Sequence, residues 1–341
     1  MKYAVIGAGS WGTAVAALLA PATPTTVWAR SNKVVKGINK SHRNKAYLKG
    51  FDLPKELHAT SDLREALDGA GVVVMAVPSH GYREVLQRAA QSIAPETPVI
   101  SVSKGIEAGT LMRMTEVTLD VLTDHDATTV GVLTGPNLAR EIMEGQPAAT
   151  VIAVPDPDIG PAIQSVLSNP RFRVYTNPDV IGCESAGAVK NVMALAAGMA
   201  AGQGFGDNTL ATLMTRALVE MTALGVAMGG QVQTFSGLAG IGDLIATCNS
   251  SQSRNHKVGY GLGEGRDLDA IIADMNMVAE GVKSTSGVLA LAAKHGVEMP
   301  IAQKVAEVLY DGLDVGEALF QLMTRETGKE FKNRETNQDS G

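Results

Sequence analysis

Cysteine is nearly missing from this chain: only Cys183 and Cys248 occur among 341 residues. With no C-x-x-C spacing, two thiols exclude a disulfide framework and read as small core residues of a reducing compartment, so the expected location is the cytoplasm. Histidine is also sparse, six residues scattered without H-E-x-x-H spacing, and no metal site is expected. Aromatics make up 4% and charged residues 19%. Basic residues are in deficit, 29 Lys and Arg against 35 Asp and Glu, for a net charge of −6. That balance argues against nucleic acid and against an acidic membrane surface as partners. It leaves room for an anionic small molecule, because a local pocket can oppose the global sign. The chain opens directly on a strand-like run, 2–6, and not on a basic segment followed by an apolar one, so no secretory leader is read. One stretch, 180–202, is apolar enough to resemble a membrane span. It carries Glu184, Lys190, Asn191 and four glycines, which are costly in lipid, and it reads as a buried helix with no membrane insertion.

What the chain does have is small apolar residues. Hydrophobic residues reach 45%, and 37 glycines come in addition. At about 150 residues per domain the length suggests two domains. The first half alternates β-branched runs (2–6, 25–28, 71–77, 98–102, 129–133, 148–154 and 171–175) with helical patterns at 11–19, 62–67 and 80–92. Such alternation marks βαβ units and a parallel sheet. Asp62 and Glu65 have capping-box spacing. After Asn177-Pro178 only helical periods follow: 181–202, 208–224, 269–274, 280–295, 301–310 and 315–324. The fold expected is α/β, a Rossmann-like mostly parallel sheet domain followed by an all-α domain. The boundaries expected are 1–178 for dinucleotide binding, 179–324 for substrate and catalysis, and 325–341 as a polar tail.

The strongest motif comes first. Gly7-Ala8-Gly9-Ser10-Trp11-Gly12 is a G-x-G-x-x-G that follows an apolar strand and opens an alanine-rich helix. The glycines allow a tight turn, close approach of backbone to a pyrophosphate, and close helix–strand packing. The helix N-terminus adds N–H groups and a positive dipole. At the end of the second strand an acid selects NAD, whereas an arginine accepts the extra phosphate of NADP. Here the run is Val27-Trp28-Ala29-Arg30, so NADP is expected to be at least accepted, with NAD the other candidate.

Hydride transfer to a carbonyl needs a proton donor for the developing alkoxide. With no zinc spacing, a side chain must supply it. Lys190, in the middle of the apolar run Ala186-Gly187-Ala188-Val189-Lys190-Asn191-Val192, is the candidate.

At this point the residues match a family. From Lys2 to about Thr324 the chain resembles the bacterial NAD(P)-dependent sn-glycerol-3-phosphate dehydrogenases. The resemblance rests on the glycine motif continued to Thr13-Ala14, on Val77-Pro78-Ser79, Ser103-Lys104-Gly105, and Gly135-Pro136 followed by Ala139. It continues through Val189-Lys190-Asn191, Leu238-Ala239-Gly240-Ile241-Gly242-Asp243, Ser253-Arg254-Asn255 and Glu280-Gly281. Each segment alone is weak; their order and spacing are specific. The resemblance implies interconversion of sn-glycerol 3-phosphate and dihydroxyacetone phosphate with NAD(P)(H), feeding phospholipid synthesis, and a homodimer. It implies Lys190 as proton acceptor and donor, with Asp243 as its charge partner and a binder of substrate hydroxyl. Substrate contacts are implied for Lys104, Gly135, Asn137, Ser253, Arg254 and Asn255. Cofactor contacts are implied for Gly7, Gly9, Ser10, Trp11, Gly12, Arg30, Lys104, Ala139, Arg254, Val278 and Glu280. The chain departs from the family at Asn137, where a small hydroxyl residue is usual, and at Leu138, where Phe is frequent. Two competing readings remain open: a related two-domain dehydrogenase acting on a β-hydroxy acid or ketopantoate-like substrate, and a non-catalytic nucleotide sensor.

Overall fold

The computed structural model describes residues 1–275 and 279–326. Eight strands form one sheet: β1 (Lys2–Ile6), β2 (Thr25–Trp28), β3 (His58–Thr60), β4 (Ala70–Met75), β5 (Val99–Ser101), β6 (Val130–Thr134), β7 (Ala148–Ala153) and β8 (Phe172–Asn177), in the order β3-β2-β1-β4-β5-β6-β7-β8. All neighbours pair in parallel except β6 with β7. β1, β2 and β4 are almost wholly buried, as near-continuous apolar strands covered on both faces must be. The helices of this half are α1 (Ser10–Leu19), α2 (Asn32–Ser41), α3 (Leu63–Leu67), α4 (Ser79–Ala89), α5 (Met114–Val121), α6 (Ala139–Met143) and α7 (Ile159–Leu167).

All seven expected strands form, most with ends shifted by a residue or two. β3 was not expected: it has three residues and sits at the sheet edge, too short to show a period. Helices α2, α5, α6 and α7 also went unread. At α3 the capping box does not close. Asp62 accepts from the Arg64 amide, but the Glu65 carboxylate turns to the Thr60 hydroxyl at 2.5 Å.

Beyond β8 the described chain is helical: α8 (Val180–Gly202), α9 (Asp207–Ala227), α10 (Val232–Phe235), α11 (Asp243–Asn249), α12 (Arg254–Gly263), α13 (Leu268–Ala273), α14 (Glu280–Lys294), α15 (Pro300–Tyr310) and α16 (Val315–Met323). α8 is the central rod, started by Asp179, whose carboxylate accepts from the Gly182 amide at 2.8 Å. The membrane-like stretch is thus a buried core helix, as expected; Cys183 lies on it and Cys248 on α11, both buried. α9 is nearly as long and as apolar, although Asp207, Arg216 and Glu220 interrupt it.

Small residues explain how α12 reaches the site. A Cβ on Gly259 would lie 2.1 Å from the Leu195 carbonyl oxygen, and one on Gly198 would lie 2.2 Å from that of His256. α8 and α12 therefore cross backbone to backbone, closer than the usual 8–10 Å between helix axes allows for side chains. This crossing sets the first turn of α12 beside residue 191.

Candidate functional site

The strand order reverses between β1 and β4, and in such sheets ligands bind outside the carboxyl ends of the strands at the reversal. Gly7 leaves β1 there with φ +125°, and a Cβ on it would meet the Ala76 carbonyl at 2.5 Å. Gly12 packs against the Gly7 carbonyl, where a Cβ would come within 2.0 Å. Gly9 faces nothing within 4 Å and caps α1 without a side chain. That open face before a helix N-terminus fits a pyrophosphate. Ser10 and Trp11 start α1, and the buried Trp11 indole nitrogen has no hydrogen-bond partner. Arg30 is exposed just past β2. Ala139 begins α6. Val278 and residues 327–341 lie outside the described residues.

The charged core of the site is assembled from three distant segments. Lys190, buried on α8, donates from Nζ to Asp243 Oδ1 at 2.5 Å and to Thr247 Oγ1 at 2.6 Å. Lys104, on the loop after β5, donates to the other oxygen of Asp243 at 2.6 Å and to the Gly135 carbonyl at 3.1 Å. Asp243 is 2% exposed and starts α11 directly after a single π-helical turn, 238–242. Such turns recur at functional sites because they re-aim side chains. Burial lowers the Lys190 pKa to about 8; Lys104 pushes the same way, while Asp243 opposes them. Burial would raise Asp243, but Lys104 and Lys190 outweigh it and hold the carboxyl below its ordinary value.

Around this centre a chain of amides links four segments. Asn191 donates to the Lys104 carbonyl at 3.3 Å, Asn255 donates to Asn191 Oδ1 at 3.0 Å, and the Gly281 amide donates to Asn255 Oδ1 at 2.9 Å. Asn255, for which a substrate contact is implied, has both ends of its side chain engaged inside the protein. Ser253 accepts from the His256 amide and caps α12. Arg254 and Asn255 open that helix, and Arg254 is exposed. Glu280 accepts from the Ser79 amide at 3.1 Å, tying α14 to α4. Burial raises its pKa, opposed by Arg254, Lys104 and Lys190, so these cations share its neighbourhood.

Asn137 donates to Thr150 Oγ1 at 2.8 Å, and Thr150 in turn donates to the Thr134 carbonyl. This fixes the amide orientation and leaves Asn137 Oδ1 a buried acceptor with no partner, as is Thr134 Oγ1. Such atoms are costly unless a ligand or water satisfies them. Among the described residues no group of three metal-ligating side chains occurs.

Thr247 was missed in the sequence. Its signal was a hydroxyl four residues after Asp243, which places both on one helix face only once the seven-residue α11 is recognised.

Known families and solved structures match most of the chain. The family model described as NAD-dependent glycerol-3-phosphate dehydrogenase N-terminus matches residues 2–159, and that for the C-terminus matches residues 179–320. The chain is 56% identical over 308 residues to glycerol-3-phosphate dehydrogenase (NAD(P)+) 2 of Sphingopyxis alaskensis, covering 90% of this chain and 92% of the relative. It is 50% identical over 331 residues to glycerol-3-phosphate dehydrogenase (NAD(P)+) of Mycobacterium avium, covering 96% of each. The crystal structure of glycerol-3-phosphate dehydrogenase from Coxiella burnetii superposes with a TM-score of 0.90 at 36% identity, covering 95% of this chain and 99% of that one. A ketopantoate reductase from Ralstonia eutropha, at 17% identity over 94% of this chain and all of that one, shares the fold alone, with a TM-score of 0.59.

Proposed function

This chain belongs to the NAD-dependent glycerol-3-phosphate dehydrogenase family, and from that premise we propose how its residues divide the work. The enzyme interconverts sn-glycerol 3-phosphate and dihydroxyacetone phosphate with NAD(P)(H), a product suited to phospholipid synthesis. Residues 1–178 hold the dinucleotide and 179–324 supply the catalytic helix, with 325–341 a polar tail. Gly7, Gly9, Ser10, Trp11 and Gly12 hold the pyrophosphate end, and Arg30 stands where a ribose phosphate arrives. Ala139, Val278, Glu280 and Arg254 complete the cofactor side. When bound, the nicotinamide supplies or takes the hydride.

The observation that carries the proposal is the Lys190–Asp243–Lys104 group, with Lys190 and Asp243 buried and Lys104 partly so. Lys190 Nζ holds the proton exchanged with the substrate oxygen. Asp243 and Thr247 fix that nitrogen in place, and burial keeps its pKa near the working range. Lys104 neutralises the second carboxylate oxygen and, with Gly135, Asn137, Ser253, Arg254 and Asn255, lines the substrate's end of the cleft. Arg254 offers a planar donor fork to a phosphate, and anchoring that group positions the reacting carbon. A non-catalytic sensor would have no use for a buried lysine. A carboxylate-substrate reductase shares only the fold. We place the protein in the cytoplasm as a homodimer.

The direct test is to add dihydroxyacetone phosphate and NADPH to the purified protein and follow the NADPH absorbance. Steady consumption is expected, with catalytic efficiency for NADPH at least comparable to that for NADH. No consumption with either cofactor overturns the reading, and a strong preference for NADH removes Arg30 from it.

A further inference from the structure

The loop between α2 and β3 touches the glycine turn through one buried side chain. Asn44 is 1% exposed and lies 36 residues beyond Ala8 in sequence. Its Nδ2 donates one hydrogen to the Ala8 carbonyl at 2.9 Å and the other to Thr13 Oγ1 at 2.8 Å. Its Oδ1 accepts from the Tyr47 amide at 3.2 Å, and its own carbonyl accepts from the Leu48 amide at 3.0 Å. Ser10 completes the contact by donating its hydroxyl to the Tyr47 carbonyl at 2.5 Å.

In a trans peptide the carbonyl and the following N–H point in opposite directions. Fixing the Ala8 oxygen toward Asn44 therefore aims the Gly9 N–H the other way. The Ala8–Gly9 peptide needs such a hold, because a flip turns about ψ of Ala8 and φ of Gly9, and the glycine at 9 offers little steric barrier on its side. A flipped peptide would present a carbonyl oxygen where the turn must offer a donor.

We propose that Asn44 is a positioning residue for the dinucleotide: it locks the Ala8–Gly9 peptide so that the Gly9 N–H faces the pyrophosphate. The inference rests on the cofactor reading given above. Asn44 does not touch the ligand. It acts through the backbone it holds, and the 42–50 loop is the brace that keeps it in place.

Asn39 provides an internal control. It makes the same kind of paired side-chain bonds, both at 2.8 Å, to the backbone of Ala59, away from the turn. The experiment is titration of NADPH and of ADP-ribose into wild type, Asn44→Asp, Asn44→Ala and Asn39→Ala, read by ligand fluorescence or calorimetry. Asn44→Asp keeps the shape and the acceptor for Tyr47 but cannot donate to Ala8. Its dissociation constants for both ligands are expected to rise roughly tenfold, the worth of one well-aimed hydrogen bond. The KM for the cofactor should rise by more than kcat falls. Asn39→Ala should bind as wild type does, even where its melting temperature drops. Wild-type affinity in Asn44→Asp or Asn44→Ala overturns the proposal, as does an equal loss in Asn39→Ala. Should the Asn44 variants not fold, hydrogen exchange on the wild type decides. The Tyr47 and Leu48 amides are expected to slow when ADP-ribose is added, and unchanged exchange there overturns the proposal. Binding is read without turnover. A wild type that binds NADPH but leaves dihydroxyacetone phosphate unreduced therefore refutes the reaction and not this inference.

Discussion

Lys190 shows how a single residue is tuned by its setting. Its position in an apolar run was visible in the sequence, but the balance of forces on it was not. Burial and Lys104 lower its pKa to about 8 against the opposing pull of Asp243. Two pH profiles with opposite signs follow. Reduction of the ketone needs the protonated amine, so its kcat/KM should fall as pH rises through about 8. Oxidation of the alcohol needs the neutral amine, so its kcat/KM should rise over the same interval. Lys190→Ala should keep cofactor affinity and lose roughly 10³-fold or more in kcat. Stopped-flow and steady-state rates check both points, and near-normal turnover would remove Lys190 from its role. Thr247 shows the converse limit: it was overlooked because a side chain's partners depend on its helix, and α11, which brings it to Lys190, had not been read.

At the scale of elements, the α8–α12 crossing converts a compositional bias into geometry. Gly259→Ala would push a methyl group to 2.1 Å from the Leu195 carbonyl, a backbone atom that cannot move aside. A loss of roughly 3 kcal/mol is expected, together with a higher KM for substrate as the first turn of α12 shifts. Calorimetry and steady-state kinetics measure the two effects, and an unchanged melting temperature would show that the helices yield more easily than the contact implies. α9 and α15 meet through a different device. Glu220, 7% exposed, accepts from the Ile301 amide at 2.8 Å at the start of α15. Burial raises its pKa to about 7 against the pull of the Ile301 and Ala302 amides and of Arg325 and Arg216. The folded state therefore holds this proton more tightly than the unfolded chain does. The stability it contributes is full below about 4.5 and is lost as pH rises toward about 7. Glu220→Gln keeps an acceptor for Ile301 and should remove that slope, worth about 3 kcal/mol. Denaturant melts at pH 5 and pH 8 test it; a slope as steep as that of wild type would rule Glu220 out as its source.

Across the whole molecule, a net charge of −6 coexists with three cations, Lys104, Lys190 and Arg254, that all act on the Glu280 carboxyl. Arg254→Ala should raise the KM for dihydroxyacetone phosphate strongly, about tenfold or more, through loss of a charge-assisted contact. An unchanged KM would move the phosphate site elsewhere on the protein. Local patterns were enough to reveal the strand–turn–helix of 2–19, the alternation up to residue 178, the helical periods beyond it and the resemblance carried by spaced motifs. Those features depend on neighbours within a few turns, and periodicity records them directly. The short elements β3, α6, α10 and α11 escaped, whereas α3, equally short, was marked by the capping spacing of Asp62 and Glu65. The sequence by itself determined the chemistry available: a phosphate-binding turn, one lysine in an apolar helix, and a few scattered cations. Only the tertiary structure decided which of them meet. Lys190 and Asp243 lie 53 residues apart, and Lys104 and Asp243 lie 139 apart. Their contact depends on how the carboxyl ends of the strands, a buried rod and a glycine-lined crossing pack together, and no local pattern encodes that packing.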